Sequence, residues 1–86
     1  MFKLRLTQSF EREFGKATKG NTILKKKVIK QLELLVKTPK HPSLRLHKLE
    51  HEEYWSISVD RSIRILLIFE SDKIYVYHIG KHEDVY

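Results

Sequence analysis

The sequence predicts an α+β fold in which one strand and two helices come before an antiparallel meander. Apolar side chains alternate in residues 1–6, recur every three or four positions between residues 9 and 37, and alternate again from residue 54 onward. A chain of 86 residues with three glycines, two prolines, no repeats and no linker fits a single domain over residues 1–86.

The first strand and the first helix follow from these periods. Phe2, Leu4 and Leu6 alternate with basic residues, as in a strand with one buried side. The helix is expected to begin at a Ser9 cap, because serine accepts hydrogen bonds from the first N–H groups of a helix. It should end at Gly20, since glycine readily adopts the left-handed conformation that closes a helix.

The second helix is longer and amphipathic. Asn21 should cap it, and it should run to about Lys37, before Pro39 and Pro42 interrupt the helical pattern. Its apolar residues fall in one arc, opposite a row of lysines: Leu24, Val28, Leu32, Leu35 and Val36. The two helices are therefore expected to form a hairpin that covers one face of the sheet.

Three or four strands are expected in the second half of the chain. The strand at residues 54–59 has a polar side and an apolar side, the latter made by Trp55, Ile57 and Val59. Residues 63–69 are apolar on both sides beyond Arg64, as in a central strand, and residues 74–79 form the last strand.

The turn between the last two strands predicts their register. If Ser71 and Asp72 form a two-residue hairpin turn, counting back pairs Glu70 with Lys73, Ile68 with Tyr75, Leu66 with Tyr77 and Arg64 with Ile79. Arg64 would then lie beside residues 80–82, where the chain leaves the last strand.

Composition excludes several classes of protein. Without cysteine the chain has no disulfide, thiolate metal site or thiol nucleophile. The longest apolar run, residues 65–69, is too short to span a bilayer and the N-terminus lacks the apolar core of a secretory signal, so we expect a cytoplasmic protein with no membrane partner. The absence of a Gly-rich phosphate loop or a Ser-His-Asp pattern argues against nucleotide hydrolases and most esterases.

The formal net charge of +6 is unevenly distributed. Residues 1–48 carry thirteen basic and three acidic side chains, a net of +10, whereas residues 49–86 carry four basic and eight acidic, a net of −4. Clustered lysine and arginine displace counterions from phosphates, so the basic half predicts a polyanionic partner, above all a nucleic acid.

Two sets of residues could carry chemistry. His82 and Tyr86 are four residues apart, and histidine can transfer protons in both directions near neutral pH, although a histidine in a polar segment is more often only solvated. Arg64 interrupts an apolar strand, so it requires either a carboxylate, from Asp60 or Asp84, or a ligand phosphate. The sequence alone does not decide between a carboxylate and a phosphate as the partner of Arg64.

Two histidine pairs have a spacing of four residues, His47 with His51 and His78 with His82. This spacing suits a metal on a helix, but neither pair falls in a helical segment, so no metal site is expected. His78 is expected to be a core or edge histidine on the face of Ile74 and Val76.

Several short motifs occur in an order that resembles the RelE/ParE superfamily of bacterial toxins over essentially the whole chain: TQSF at 7–10, LHKL at 46–49, YWSISV at 54–59, RSIRIL at 61–66 and IGKHEDVY at 79–86. The resemblance implies a twisted antiparallel sheet backed by two N-terminal helices, and a cognate acidic antitoxin protein. It also implies one of two activities. The RelE branch cleaves messenger RNA, usually in the ribosomal decoding site, whereas the ParE branch inhibits DNA gyrase.

The resemblance assigns roles to individual residues. Arg64 matches the central-strand arginine that holds the scissile phosphate. His82 stands where members carry a histidine or arginine that acts as general acid or stabilises charge, and Tyr86 resembles the terminal tyrosine that packs on or activates the nucleotide. Lys48 is similar to a basic residue before the third strand, and Asp60 to an acidic turn residue of histidine-type members.

The remaining assignments concern RNA binding and the general base. Arg45, Arg61 and Lys81 are expected to contact RNA. Ser56 and Ser58 stand where RelE itself presents two lysines, so the general base is not identified by the resemblance.

These assignments give a hypothesis for cleavage without a metal or cofactor. Such a reaction requires a base for the 2′-hydroxyl, a cation for the phosphorane and an acid for the leaving 5′-oxygen. We expect Arg64, helped by Lys48, to stabilise the phosphorane and His82 to supply the proton, with Tyr86 or Asp60 orienting it. The product would carry a 2′,3′-cyclic phosphate.

The sequence therefore favours a toxin that cleaves messenger RNA, with the messenger, the ribosome and an antitoxin as partners. A ParE-like, non-enzymatic gyrase inhibitor is an alternative, against which Arg64, His82 and Tyr86 count. A non-catalytic basic RNA-binding module is another, which explains the charge but not the polar end of the chain.

Overall fold

A computed structural model of the chain describes residues 1–81, so the predictions for His82, Asp84 and Tyr86 concern residues outside it. The described elements are strand β1 (Lys3–Leu6), helices α1 (Gln8–Thr18) and α2 (Thr22–Lys37), a 3-10 turn (Pro42–Leu44), and strands β2 (His47–Lys48), β3 (Trp55–Ser58), β4 (Ile63–Glu70) and β5 (Lys73–Lys81). Within residues 1–81, no helix has the length and apolar character needed to cross a membrane.

The strands form one sheet in the order β1-β5-β4-β3-β2. The pairs from β2 to β5 are antiparallel, as expected of a meander, whereas β1 runs parallel to β5. A parallel neighbour requires a long connection, and here the two helices and the meander supply it. The predicted α+β fold, with two helices on an antiparallel sheet, is confirmed with β1 as its one parallel strand among the described residues.

The first helix begins earlier than the sequence suggested. Its cap is Thr7, whose hydroxyl accepts from the Phe10 N–H at 3.1 Å and donates to the Val76 carbonyl at 3.0 Å. The predicted Ser9 cap is wrong because Thr7, at the end of β1, can bond to both the helix and β5. The helix ends at Thr18, and Gly20 adopts a positive φ of 69° in the link to α2.

The second helix matches its prediction. The Asn21 side chain accepts from the Leu24 N–H at 3.0 Å, and the helix ends at Lys37. Both helices pack on one face of the sheet and enclose a single core, whose fully buried members include Val28 and Leu35 from α2 and Ile57, Ile65, Leu67, Ile74 and Val76 from the sheet.

The β4–β5 pair follows the predicted register for half its length. Glu70 pairs with Lys73 and Ile68 with Tyr75, as the two-residue turn requires. An irregularity between Leu66 and Leu67 then places an extra residue, Tyr77, in β5.

Beyond this bulge the predicted pairs are wrong by one residue. Leu66 pairs with His78 rather than Tyr77, and Arg64 pairs with Gly80 rather than Ile79. Successive residues of a strand point to opposite faces, so the bulge transfers His78 from the expected face of Val76 to the face of Leu66 and Arg64. We call this side, away from the helices, the open face.

Candidate functional site

Arg64 lies on the open face of β4 directly opposite Ser58 of β3. Its Nη1 donates a hydrogen bond to the Ser58 hydroxyl. Ser58 is only 7% exposed, because the arginine side chain and the neighbouring strands cover it. Ser58 is therefore a partner of Arg64 that the sequence did not suggest, a neutral hydroxyl that orients the guanidinium without neutralising it.

Asp60 is engaged by its own turn between β3 and β4. Its Oδ1 accepts from the N–H groups of Ser62 and Ile63, both at 2.8 Å, and from the Ser62 hydroxyl at 3.3 Å. Burial by itself would raise the pKa of the Asp60 carboxyl, but these donors and the positive charge of Lys27 outweigh burial and lower the pKa below its ordinary value. Asp60 is therefore an anion at neutral pH and stabilises the turn that follows β3.

The three predicted site arginines meet around one hollow at this end of the sheet. The hollow has a volume of about 310 Å³ and is lined by Arg45, Arg61 and Arg64, together with Ser43, Ser58, Val59 and Asp60. Sequence reasoning named each of these arginines but did not place them together. Three guanidinium groups around one cavity, with a single carboxylate, give it a net positive charge that suits a phosphate group.

Arg45 reaches the hollow through an unusual backbone conformation. It ends the 3-10 turn with φ of 49° and ψ of 46°, in the left-handed region that few residues other than glycine adopt. Its N–H donates to the Pro42 carbonyl at 3.2 Å, which closes the turn. Backbone strain of this kind is often found at functional sites, and here it brings a cation to the rim of the hollow.

A buried glutamine supports the floor of the hollow. Gln31 of α2 is 7% exposed, and its Nε2 donates to the Ser58 carbonyl at 2.8 Å and to the Ser43 carbonyl at 3.4 Å. It thus connects α2 to two of the segments that line the hollow. The sequence contained a signal for this residue, since Gln31 interrupts the apolar arc between Val28 and Leu35.

The predicted lysines do not join the arginines. Lys48 pairs with Trp55 and Lys81 pairs with Ile63. Residues that pair across a ladder share a face, and Trp55 and Ile63 pack against the helix-side core. The Lys48 side chain therefore leaves the backbone on the face of the sheet opposite to that of Arg64.

A second polar cluster occupies the open face of β5. His78 Nδ1 lies 3.2 Å from Glu13 Oε1 and 3.3 Å from Oε2, and Glu13 Oε1 also accepts from the Ile79 N–H at 3.2 Å. The Tyr54 ring contacts the rings of Tyr77 and His78, with centroids 5.6 Å and 5.9 Å away. Sequence reasoning missed Glu13, because in the sequence it is an ordinary polar residue of α1. Its role arises only in the fold, where β1 ends and leaves the edge of β5 open to it.

Comparison with models of protein families finds no match, and comparison with curated protein sequences finds none either. Solved structures do match. A chain of the Escherichia coli DinJ–YafQ complex superposes with a TM-score of 0.84 at 14% identity, over 100% of this chain and 99% of that one. A YoeB/ParE toxin from Agrobacterium tumefaciens gives 0.81 at 16% identity, over 94% and 99%.

A copper-bound mutant toxin from Helicobacter pylori gives a TM-score of 0.74 at 22% identity, over 100% of both chains. These matches span the whole domain rather than a shared substructure. The chain therefore has the fold of the RelE-like toxins, as the resemblance in its motifs implied.

Proposed function

We propose that this chain is the toxin of a type II toxin-antitoxin system and cleaves messenger RNA on the ribosome, in the cytoplasm, without a metal. The likeness in fold to YoeB and YafQ toxins supports the first part. The observation that carries the second part is the hollow where Arg45, Arg61 and Arg64 converge.

The hollow has the properties that a scissile phosphodiester requires. Arginine binds phosphate oxygens with paired N–H donors, and Arg64 is already oriented by Ser58. Donors that are fixed before the reaction need no reorganisation when charge builds up on the phosphorane. Arg64 stabilises this charge, and Arg45 and Arg61 bind the flanking backbone. Lys81, which pairs with Ile63 on the other side of the sheet, contacts RNA outside the hollow.

We keep the roles that the resemblance implied for His82 and Tyr86, and assign different ones to Asp60 and Lys48. His82 protonates the leaving 5′-oxygen and Tyr86 orients the nucleotide. Asp60, which is anionic and bonded to its own turn, holds the β3–β4 connection and keeps Arg61 at the rim. Lys48 contacts RNA away from the phosphorane, because its pairing places it on the other side of the sheet. The products are a 2′,3′-cyclic phosphate and a 5′-hydroxyl.

The antitoxin partner is an acidic protein. The basic half of the chain includes α2, where Lys25, Lys26, Lys27 and Lys30 are exposed. A complementary acidic chain would neutralise this surface. The DinJ–YafQ complex, which contains a chain of this fold bound to a second protein, supports a protein partner.

Ribosomes programmed with a defined messenger test the proposal. Wild-type protein should cut the messenger and leave a 2′,3′-cyclic phosphate, and Arg64→Ala should lower the single-turnover rate by about 10²–10³-fold, as for loss of one transition-state donor. Arg12→Ala, an exposed arginine of α1, is the matched control and should cleave normally. Intact messenger together with inhibited gyrase supercoiling would instead identify a gyrase inhibitor, and the proposal would be wrong.

A further inference from the structure

No general base has yet been identified for the proposed reaction. Glu13 and His78 form a carboxylate–imidazole pair with the geometry of a general base and the residue that orients it. Both side chains are little more than one-third exposed, 37% for Glu13 and 36% for His78. A carboxylate only accepts hydrogen bonds, so its contact with Nδ1 places the imidazole proton on Nδ1. The other ring nitrogen, Nε2, then presents a lone pair.

Glu13 is itself held in place by the fold. Its Oε1 accepts from the Ile79 N–H, at the position where β1 has ended and α1 has replaced it beside β5. The contact between the Tyr54 and His78 rings restrains the imidazole from the other side. Carboxylate, imidazole and aromatic ring are thus contributed by α1, β5 and the segment before β3. A histidine oriented in this way by a carboxylate is the arrangement that general bases use.

His78 also lies at the right place relative to Arg64. Leu66 pairs with His78 and Arg64 pairs with Gly80, so Arg64 and His78 are diagonal neighbours on the open face. Diagonal neighbours in an antiparallel pair are about 7–8 Å apart. Two contacts of about 3 Å each, one to a phosphate oxygen and one to the 2′-hydroxyl, fit such a separation. Gly80, opposite Arg64, adds no side chain between them.

We propose that His78, oriented by Glu13, is the general base of the proposed RNA cleavage. This inference rests on the proposed function. Nε2 removes the proton from the 2′-hydroxyl, and the 2′-oxygen forms a bond to phosphorus. The bond from phosphorus to the 5′-oxygen breaks with its electron pair, and the leaving oxygen takes a proton from His82. His78 returns its proton to solvent after the cyclic phosphate leaves.

The bulge explains why this base could not be expected from the sequence. Without the extra residue in β5, His78 would lie on the helix side with Val76. The bulge moves it to the face of Arg64, and thereby supplies a proton acceptor to a site where serines occupy the positions of two RelE lysines.

The test uses a messenger in which sulfur replaces the bridging 5′-oxygen at the mapped cleavage site. Sulfur leaves without protonation, so it restores variants that lack the acid but not those that lack the base. The key variant is His78→Asn, whose amide N–H can still donate to Glu13 while Nε2 is removed. Its single-turnover rate should fall by about 10²–10⁴-fold on both linkages. His82→Ala should be slow on oxygen and recover on sulfur.

Two further variants separate a base from a structural residue. Glu13→Gln keeps an acceptor for the Ile79 N–H but no longer holds the imidazole by charge, so its rate should fall less than that of His78→Asn while its melting temperature stays near wild type. Glu11→Gln, two residues before Glu13 on α1 and exposed, should change neither.

Each outcome decides the matter. The inference is wrong if His78→Asn cleaves the oxygen linkage at the wild-type rate, or if sulfur restores it. Should His78→Asn fail to fold, unchanged cleavage by folded Glu13→Gln overturns the inference, and slowed cleavage on both linkages supports it. If the wild-type protein cleaves no messenger, the proposed function is wrong and this inference is wrong with it. If the wild-type protein cleaves normally and His78→Asn does so too, only this inference is wrong.

Discussion

Gln31 donates a hydrogen bond of 2.8 Å to the backbone carbonyl of Ser58, the residue whose hydroxyl accepts from Arg64. A buried amide on α2 therefore sets the backbone position of the strand that orients the arginine. Ser58 of β3 thus connects Gln31 in the helix layer to Arg64 on the open face of the sheet.

The first prediction concerns Gln31→Leu. The substitution preserves the apolar arc of α2 but leaves the Ser58 carbonyl without its side-chain donor. An unsatisfied buried group costs about 1–3 kcal/mol, so the free energy of unfolding in urea should fall by that amount. The cleavage rate should fall as well, because Ser58 and Ser43 no longer have fixed positions. Lys30→Leu, the exposed neighbour on α2, is the control, and equal stability of the two variants would contradict the prediction.

Ser58→Ala tests how Arg64 is oriented. The variant keeps the charge of the guanidinium but removes the hydroxyl that accepts from it. A hydrogen bond from a charged donor contributes at least about 1.5 kcal/mol net, so we expect a loss of about tenfold in cleavage rate, smaller than that for Arg64→Ala. Single-turnover rates of both variants provide the measurement. Ser9→Ala, on α1, should behave as wild type, and a Ser58→Ala rate as low as that of Arg64→Ala would show that the hydroxyl has a further role.

Asp60 predicts a specific pH dependence of stability. Its pKa is lower in the folded chain than the value of about 3.9 in peptides, so the carboxylate stabilises the fold above that value. The contribution is lost as the pH falls through the lower, folded pKa. Asp60→Ala should therefore be about 1 kcal/mol less stable than wild type at neutral pH, as for loss of a side-chain cap.

The difference between the two proteins should shrink as acid protonates Asp60. Urea unfolding of both, followed from neutral pH down to about pH 2, measures it. Asp60→Asn keeps an acceptor but not the charge and should fall between them at neutral pH. A stability difference that does not change with pH would show that the charge of Asp60 contributes nothing.

The sequence predicted the elements better than the contacts between them. Apolar periods and caps are local, and they located both helices and the strands. The β4–β5 register was correct from Glu70 to Ile68, because a two-residue turn determines the first pairs. It failed from Leu66 to Arg64, since a bulge depends on packing around the strand rather than on the turn.

In the candidate site, too, the sequence predicted a single residue better than the contacts between residues. Arginine in an apolar strand identified Arg64 from local sequence alone. Its partner Ser58, the support from Gln31 and the Glu13–His78 pair each join residues that are distant in sequence and meet only through the packing of separate elements. Of these, only Gln31 left a trace in the sequence, as a polar residue in an apolar arc.

Arg45 provides the last prediction, because its backbone and its charge can be separated. Arg45→Asn removes the cation while asparagine tolerates the left-handed conformation, so the variant should fold with a melting temperature near wild type. If Arg45 binds one phosphate, affinity for a short single-stranded RNA should fall, and the slope of log affinity against log salt should become less steep by about 0.7. Fluorescence anisotropy over a salt series measures both quantities. Arg5→Asn, on the exposed side of β1, should leave the slope unchanged. An unchanged slope for Arg45→Asn would mean that the strained residue shapes the turn and does not contact RNA.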